Sequence, residues 1–226
     1  MYKTEAHVHT SESSKCSELP AAEIVRMYAE RGFETIFITD HINTASINSW
    51  GEIDGWEAKV DRYMQGYYAA KAEGDKLGVR VLFGAEICFR QPAGNGNDYL
   101  VYGIDRDFLV GYPDLNHGSV EEFYKYAKER GATVIQAHPF RGHKCYPTPE
   151  FIDGAEVYNS HPRHVNYNDE ALAMAKEHGL IMTVGSDVHI HGDEARAYVL
   201  TEEPIRSAEE YIAALKSGKA RFVTEE

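Results

Sequence analysis

The chain has 226 residues, with 23 Lys and Arg against 36 Asp and Glu, for a formal net charge of -13. Hydrophobic content of 43% and charged content of 26% exclude disordered, collagen-like and coiled-coil classes. The acidic excess opposes an extended nucleic-acid surface, because such surfaces need Lys and Arg to displace counterions from phosphates.

The length suits one domain over residues 1–226. No apolar run approaches the roughly 18–20 residues of a membrane span, and the segment MYKTEAHVHT lacks the apolar core of a secretion signal. A cytoplasmic protein with no membrane partner is therefore expected. Cys16, Cys88 and Cys145 are odd in number and widely spaced, unlike a disulfide framework.

In chain order, the pattern predicts a strand over Thr4–Val8, a helix over Ala21–Arg31, a strand over Thr35–Thr39, a helix over Trp56–Lys76 and strands over Val79–Ala85 and Tyr99–Tyr102. A helix over Val120–Arg130 and strands over Thr133–Ala137 and Ala155–Tyr158 follow. The pattern closes with a helix over Asp169–His178, a strand over Ile181–Val184 and a helix over Ser207–Ser217. Gly32, Gly131, Gly179 and Gly218 stand where helices stop, as the left-handed C-terminal position favours. Strands alternating with helices predict an α/β fold with a parallel, barrel-like sheet. Gln91–Asp98 reads as the most flexible loop.

Eleven histidines stand out, and many fall at strand ends. His7 and His9 close the first strand, Asp40 and His41 the second, and Glu86 the third. His138 follows the fifth, and Asp187 with His189 follow the seventh. In a parallel barrel these ends share one face. Residues i and i+2 of a strand point the same way, so His7 with His9, and Asp187 with His189, each offer a pair of ligand atoms. Imidazole with carboxylate favours zinc, iron or manganese over calcium. A lone histidine at a strand end is usually structural, and the coincidence at five ends argues for a metal site.

The run His7-Val8-His9-Thr10, Thr39-Asp40-His41, Gly84-Ala85-Glu86, Ala137-His138-Pro139 and Gly185-Ser186-Asp187-Val188-His189 resembles the signature of the polymerase and histidinol phosphatase (PHP) family. The resemblance implies a distorted (β/α)7 TIM-like barrel that holds two or three divalent metal ions, zinc, manganese or iron, and hydrolyses small phosphate esters by a metal-bridging hydroxide. It assigns His7, His9, Glu86 and Asp187 to a first metal. Glu86 would bridge to a second metal also bound by His138, and His41 with His189 would hold a third.

Two positions depart from the family pattern. Where relatives place an Asp or His ligand after the HxH pair, this chain has Ser14 and Lys15, and Glu12 is either the substitute ligand or a solvated loop carboxylate. Where relatives place a histidine before the fourth strand, it has Asp98, with His117 as a competing candidate on a Pro/Asn/Gly-rich loop.

Arg141 is placed to grip a phosphate bidentately, or else to make an ordinary salt bridge. Asp40 would orient His41 or manage a proton. Asn159 is expected to contact substrate or orient a ligand, and His161, with His143 and His164, to rim the mouth. Trp50 and Trp56 are candidates to cover it. The other readings are an amide or lactone hydrolase on the same barrel and a non-catalytic module stapled by metals.

Overall fold

A computed structural model describes residues 1–90, 96–112 and 118–225. The predicted runs form β1 (Tyr2–Glu5), β2 (Thr35–Ile38), β4 (Arg80–Arg90), β5 (Gly96–Tyr102), β6 (Thr133–Gln136), β7 (Gly154–Asn159) and β8 (Ile181–Gly185), with a two-residue β3 (His41–Ile42) lying on β4. Two further strands, β9 (Ala197–Thr201) and β10 (Arg221–Thr224), extend the sheet antiparallel from β1. The strand order is β10-β9-β1-β2-β4-β5-β6-β7-β8. Just past the ends of β1 and β8 a parallel bridge between Val8 and Val188 brings the first and last barrel strands together. This is the expected barrel of seven strands, β1, β2 and β4 to β8.

One strand departs from the parallel expectation. β5 runs antiparallel to both β4 and β6. A parallel crossover needs a dozen or more residues, and only residues 91–95, outside the described residues, separate β4 from β5. The expected loop Gln91–Asp98 is therefore shorter than predicted, since Gly96, Asn97 and Asp98 already belong to β5. The reversal has a consequence for the site. β5 presents its N-terminal end, with Asp98, on the face toward which β4 and β6 run.

The helices are α1 (Ala21–Glu30), α2 (Thr44–Ser49), α3 (Trp56–Tyr63), α4 (Gln65–Leu77), α5 (Arg106–Val110), α6 (Val120–Glu129), α7 (Asn168–Glu177) and α8 (Ala208–Lys216). The predicted helix Trp56–Lys76 is thus two helices that meet at Met64. On α1, Ala21, Ile24, Val25 and Tyr28 recur at helical spacing and are buried against Val8, Ile36 and Val188. Each large apolar side chain so buried contributes about 1.5–3 kcal/mol. α6 starts at a capping box in which Ser119 and Glu122 satisfy each other's backbone N–H groups. The four glycines read as helix stops all adopt positive φ.

Candidate metal centre

The C-terminal ends of β1, β6 and β8 deliver their polar residues to one buried cluster with Glu86, which lies within β4 because that strand runs on to Arg90 rather than closing at Glu86 as expected. His7 and His9 follow β1 with rings 5.0 Å apart. His9 Nε2 lies 3.1 Å from Glu86 Oε2 and 3.2 Å from Asp187 Oδ1. His7 Nε2 lies 3.2 Å from Glu86 Oε2 and 3.5 Å from Asp187 Oδ1. One ligand atom from each of His7, His9, Glu86 and Asp187 falls within 4.8 Å of all the others. The first set implied by the motifs is thus a single group of buried side chains.

Among the described residues, three further groups lie around it, one of them His161, His189 and Asp193 on the mouth side. His41, Glu86 and Asp98 form another, and His138 Nε2 stands beside it, 3.1 Å from Glu86 Oε1 and 3.9 Å from Asp98 Oδ2. His9, His41 and His189 form the third, with the His9 and His41 rings stacked at 4.2 Å. Glu86 is central. Its two oxygens face His7, His9 and His41 on one side and His138 on the other.

The chemistry of these donors fits divalent cations. His9 Nε2 and His41 Nδ1 are buried, lie within 3.0–3.2 Å of carboxylate oxygens, and yet have no hydrogen-bond partner. Donor atoms that crowd together without pointing at one another are aimed at a common point, as ligands are around an ion. Buried polar atoms without partners are otherwise rare. His138 and Asp187 also adopt left-handed φ of 30° and 55°, backbone strain of the kind that concentrates at functional sites.

Electrostatics in the metal-free chain follow from this crowding. Burial opposes charge on His7, but Asp187, Glu156 and Glu86 outweigh it and hold its pKa well above the ordinary value. Burial and Arg141 oppose charge on His138, but its interactions with Cys145 and with the Glu86 carboxylate, which accepts from Nε2, carry its pKa to about 9. Burial would raise Glu86 and Asp187. The imidazoles around Glu86, and His7 with Arg141 around Asp187, instead hold both carboxylates well below their usual range. Burial pushes His41 well below 6.5 and His189 to about 4, and raises Asp98 to about 6.

The mouth above the cluster is a cavity of about 580 Å³, lined by Cys16, Glu18, Asp98, Arg141, His161 and Arg163 among others. Arg141 Nη2 donates to Asp187 Oδ2 at 2.6 Å and to Asn159 Oδ1 at 2.9 Å, and Nε donates to Asn166 Oδ1 at 2.9 Å. Both Arg141 and Asn159 are therefore tied to Asp187. His161 is buried beside Arg163, whose guanidinium grips Asp193 through two hydrogen bonds. Burial holds the His161 pKa at about 3. The His164 ring packs tilted against His161 at 4.5 Å, whereas that of His143 packs tilted against Tyr167.

Three sequence expectations are corrected. Glu12 does not join the cluster: its carboxylate accepts the Ala21 N–H and caps the start of α1, where the helix dipole favours a negative charge. Asp40 does not orient the His41 ring. Its carboxylate accepts from Thr10 N–H, Thr10 Oγ1 and Ser14 Oγ, and Ser14 Oγ in turn lies 3.4 Å from His9 Nδ1. Trp50 and Trp56 do not line the mouth, and their indole N–H groups donate to the Ser13 and Leu109 carbonyls. His117 lies outside the described residues.

Buried carboxylates escaped the sequence reading, Glu5 and Glu156 beside the cluster and Asp193 beside His161 and His189 among them. Glu5 Oε1 accepts from the N–H groups of Ala6, His7 and Ser186, and Oε2 accepts from Tyr28 Oη. Glu156 Oε1 lies 2.9 Å from His7 Nδ1. Both sit at strand positions that alternate with apolar ones, a pattern that reads as solvent-facing until the sheet closes.

Residues 165–220 match a family model described as PHP-associated. No curated protein matches the chain. Among solved structures, a two-domain protein of Bacteroides vulgatus containing a predicted PHP-like metal-dependent phosphoesterase is 19% identical, with a TM-score of 0.73 over 99% of this chain and 65% of that one. An amidohydrolase from Chromobacterium violaceum is 16% identical, with a TM-score of 0.61 over 94% of this chain and 96% of that one. A lesion-specific endonuclease from Pyrococcus furiosus is 17% identical, with a TM-score of 0.59 over 98% of this chain and 57% of that one. This chain thus spans about two thirds of the Bacteroides protein's length. Among the described residues, no helix is long and apolar enough to cross a membrane.

Proposed function

From a chain with the PHP-like barrel fold and a PHP-associated segment, we propose a metal-dependent phosphoesterase that acts on small phosphate esters. The observation that carries the reading is the buried group of His7, His9, Glu86 and Asp187 with its partnerless His9 Nε2. These four residues would hold one cation. Glu86, His138 and Asp98 would hold a second, and His41 with His189 a third. Such cations supply Lewis acidity toward phosphoryl oxygens and lower the pKa of water. Zinc, manganese and iron suit this nitrogen and oxygen set.

The chain's own residues would do the rest. Arg141 holds Asp187 and Asn159 through Nη2, and its Nη1 makes no hydrogen bond to a described residue, which leaves that donor for a phosphoryl oxygen. Asp40 supports His9 through Ser14. His161, neutral at pH 7, would contact the leaving group from the rim of the cavity. A mouth of about 580 Å³ suits a small ester, and the net charge of -13 disfavours a long polynucleotide despite the endonuclease of similar fold. We place all of this in a single domain over residues 1–226.

A second reading, hydrolysis of an amide or lactone, draws support from Arg141, whose Nη2 and Nε are already committed within the protein, and from the amidohydrolase of similar fold. Metal analysis of the purified protein, coupled to p-nitrophenyl phosphate hydrolysis before and after chelation with His9→Ala as control, separates the two. Chelator-sensitive turnover supports the phosphoesterase. Bound metal without phosphate-ester turnover moves the reading to the amide hydrolase.

A further inference from the structure

We propose that Glu156, outside the ligand set, is the positioning residue that fixes His7, His138 and Asp187 in ligating geometry. The proposal rests on the metal-centre reading above. A neutral imidazole carries one proton, so a ring that donates from Nδ1 keeps its lone pair on Nε2. Glu156 Oε1, 2.9 Å from His7 Nδ1, selects that tautomer and leaves Nε2 facing Glu86 and Asp187. Carboxylates behind metal-binding histidines act in this way.

The second oxygen is equally committed. Glu156 Oε2 accepts the His138 N–H at 3.1 Å and an Asn159 amide hydrogen at 2.9 Å. The first of these holds a backbone at φ 30°, the strained conformation from which the His138 ring reaches Glu86. The second orients Asn159, whose Nδ2 also lies 3.1 Å from Asp187 Oδ2. One carboxylate thereby acts on a ring, a backbone and, through an amide, another carboxylate.

The surrounding strands are shaped around this contact. The register of β7 against β8 shifts between Glu156 and Tyr158, and a bulge of this kind re-aims side chains beside functional sites. On β8, a Cβ at Gly185 would lie 2.6 Å from His7 Cβ and 2.7 Å from Glu156 Oε1. Space alone demands glycine there, because φ at Gly185 is not positive.

The test is Glu156→Gln, read by titrating Mn2+ alone, and separately Zn2+ alone, against a chromophoric chelator. An amide cannot serve both ends. With its NH2 in the place of Oε2 it meets two donors, and when flipped it meets His7 Nδ1 and drives the proton to Nε2. The expected result is a loss of about 10–100-fold in metal affinity, the range for such outer partners. Folded metal-free protein, verified by its unfolding midpoint, is the reference, so a merely structural role would shift the midpoint and leave affinity intact.

Gly185→Ala, which keeps the carboxylate but crowds it from His7, should weaken metal binding in the same direction. Wild-type affinity in folded Glu156→Gln overturns the proposal. If that variant does not fold, Glu156→Asp, which withdraws the charge by one methylene, is judged by the same criterion. A wild-type protein that binds neither cation fails earlier, and sinks the metal-centre reading together with this one.

Discussion

Replacing Asp187 by Asn tests whether one side chain joins stability to metal binding. Its Oδ1 lies 3.2 and 3.5 Å from His9 and His7 Nε2, and its Oδ2 lies 2.6 Å from Arg141 Nη2. An amide cannot satisfy both sides, because its NH2 faces either a guanidinium donor or the ligand position. Breaking a buried ion pair by removing one partner costs about 3–5 kcal/mol. Arg141 keeps its bonds to Asn159 and Asn166, which sets the expected loss near about 3 kcal/mol, or about 6–12 °C in melting temperature for a domain of this size. That is the metal-free difference. Metal at about 100 times its Kd should stabilise wild type by a further 2.7 kcal/mol or about 5–11 °C, and this increment should vanish in the variant. Thermal unfolding of both proteins, chelated and reloaded, gives the four numbers required. An equal increment in wild type and Asp187→Asn would refute the assignment of Asp187 as a ligand.

Three further outcomes are expected. His7 and His138 hold protons above the ordinary histidine range in the metal-free chain, His138 with a pKa of about 9. Loading must displace those protons, so apparent Mn2+ affinity should climb as pH rises from 6.5 to about 9; pH-independent calorimetric affinity would contradict the ligand set. Arg141→Ala should depress p-nitrophenyl phosphate turnover by about 10²-fold or more through lost charge stabilisation, and Arg141→Lys should restore little because Lys lacks the planar fork. Full activity in Arg141→Ala would remove it from phosphate recognition. Burial raises Glu5 from 4.5 to about 7. Between those values the folded state keeps a proton that the unfolded chain releases, so stability falls by about 3 kcal/mol as pH climbs across that window. Glu5→Gln in metal-free protein should flatten the slope seen by urea unfolding, and an unchanged slope would show that Glu5 is not its source.

The cluster of proposed ligands was legible because strand geometry is simple. HxH at residues 7–9 and DxH at 187–189 were read from the two-residue period of a strand, although both pairs lie just past the ends of β1 and β8 and Asp187 takes a positive φ, and strand ends need only the alternation of apolar runs and glycine stops. The strand direction at Asp98 was not legible in that way, although the short stretch between Glu86 and Asp98 carried the signal, since it has no room for a crossover helix. β9 was missed because it follows β8 with no helix between them, and β10, although it follows α8, was missed because its short run Arg221–Thr224 lies at the exposed edge of the sheet. Glu5 and Glu156 were missed for a deeper reason. In an open sheet, the residues alternating with Ala155 and Val157 would face solvent, and only closure turns that side into the barrel interior. Glu12 misled in the opposite sense. A carboxylate close to HxH in sequence is drawn instead to the N–H groups at the start of α1.

Closure and site formation are the same event in this fold. The bridge that joins β1 to β8 runs through Val8 and Val188, each flanked by proposed ligands. His9 N–H donates to the Val188 carbonyl and Val188 N–H to the His7 carbonyl. Below the bridge, Glu5 Oε1 accepts the N–H of both His7 and Ser186, so one oxygen clasps the two strands beside the proposed ligands. Above it, His7, His9 and Asp187 crowd together as like and unlike charges that protons balance only in part. A cation shared by these residues would tie β1 to β8 a second time, at the point where the backbone ladder is thinnest. The seam should therefore be where metal acts on the fold. Amide exchange at Val8 and Val188 should slow on loading by more than exchange in β6, whose partners β5 and β7 flank it on both sides. Uniform slowing across the barrel would show that metal stabilises the whole domain without bearing on the seam.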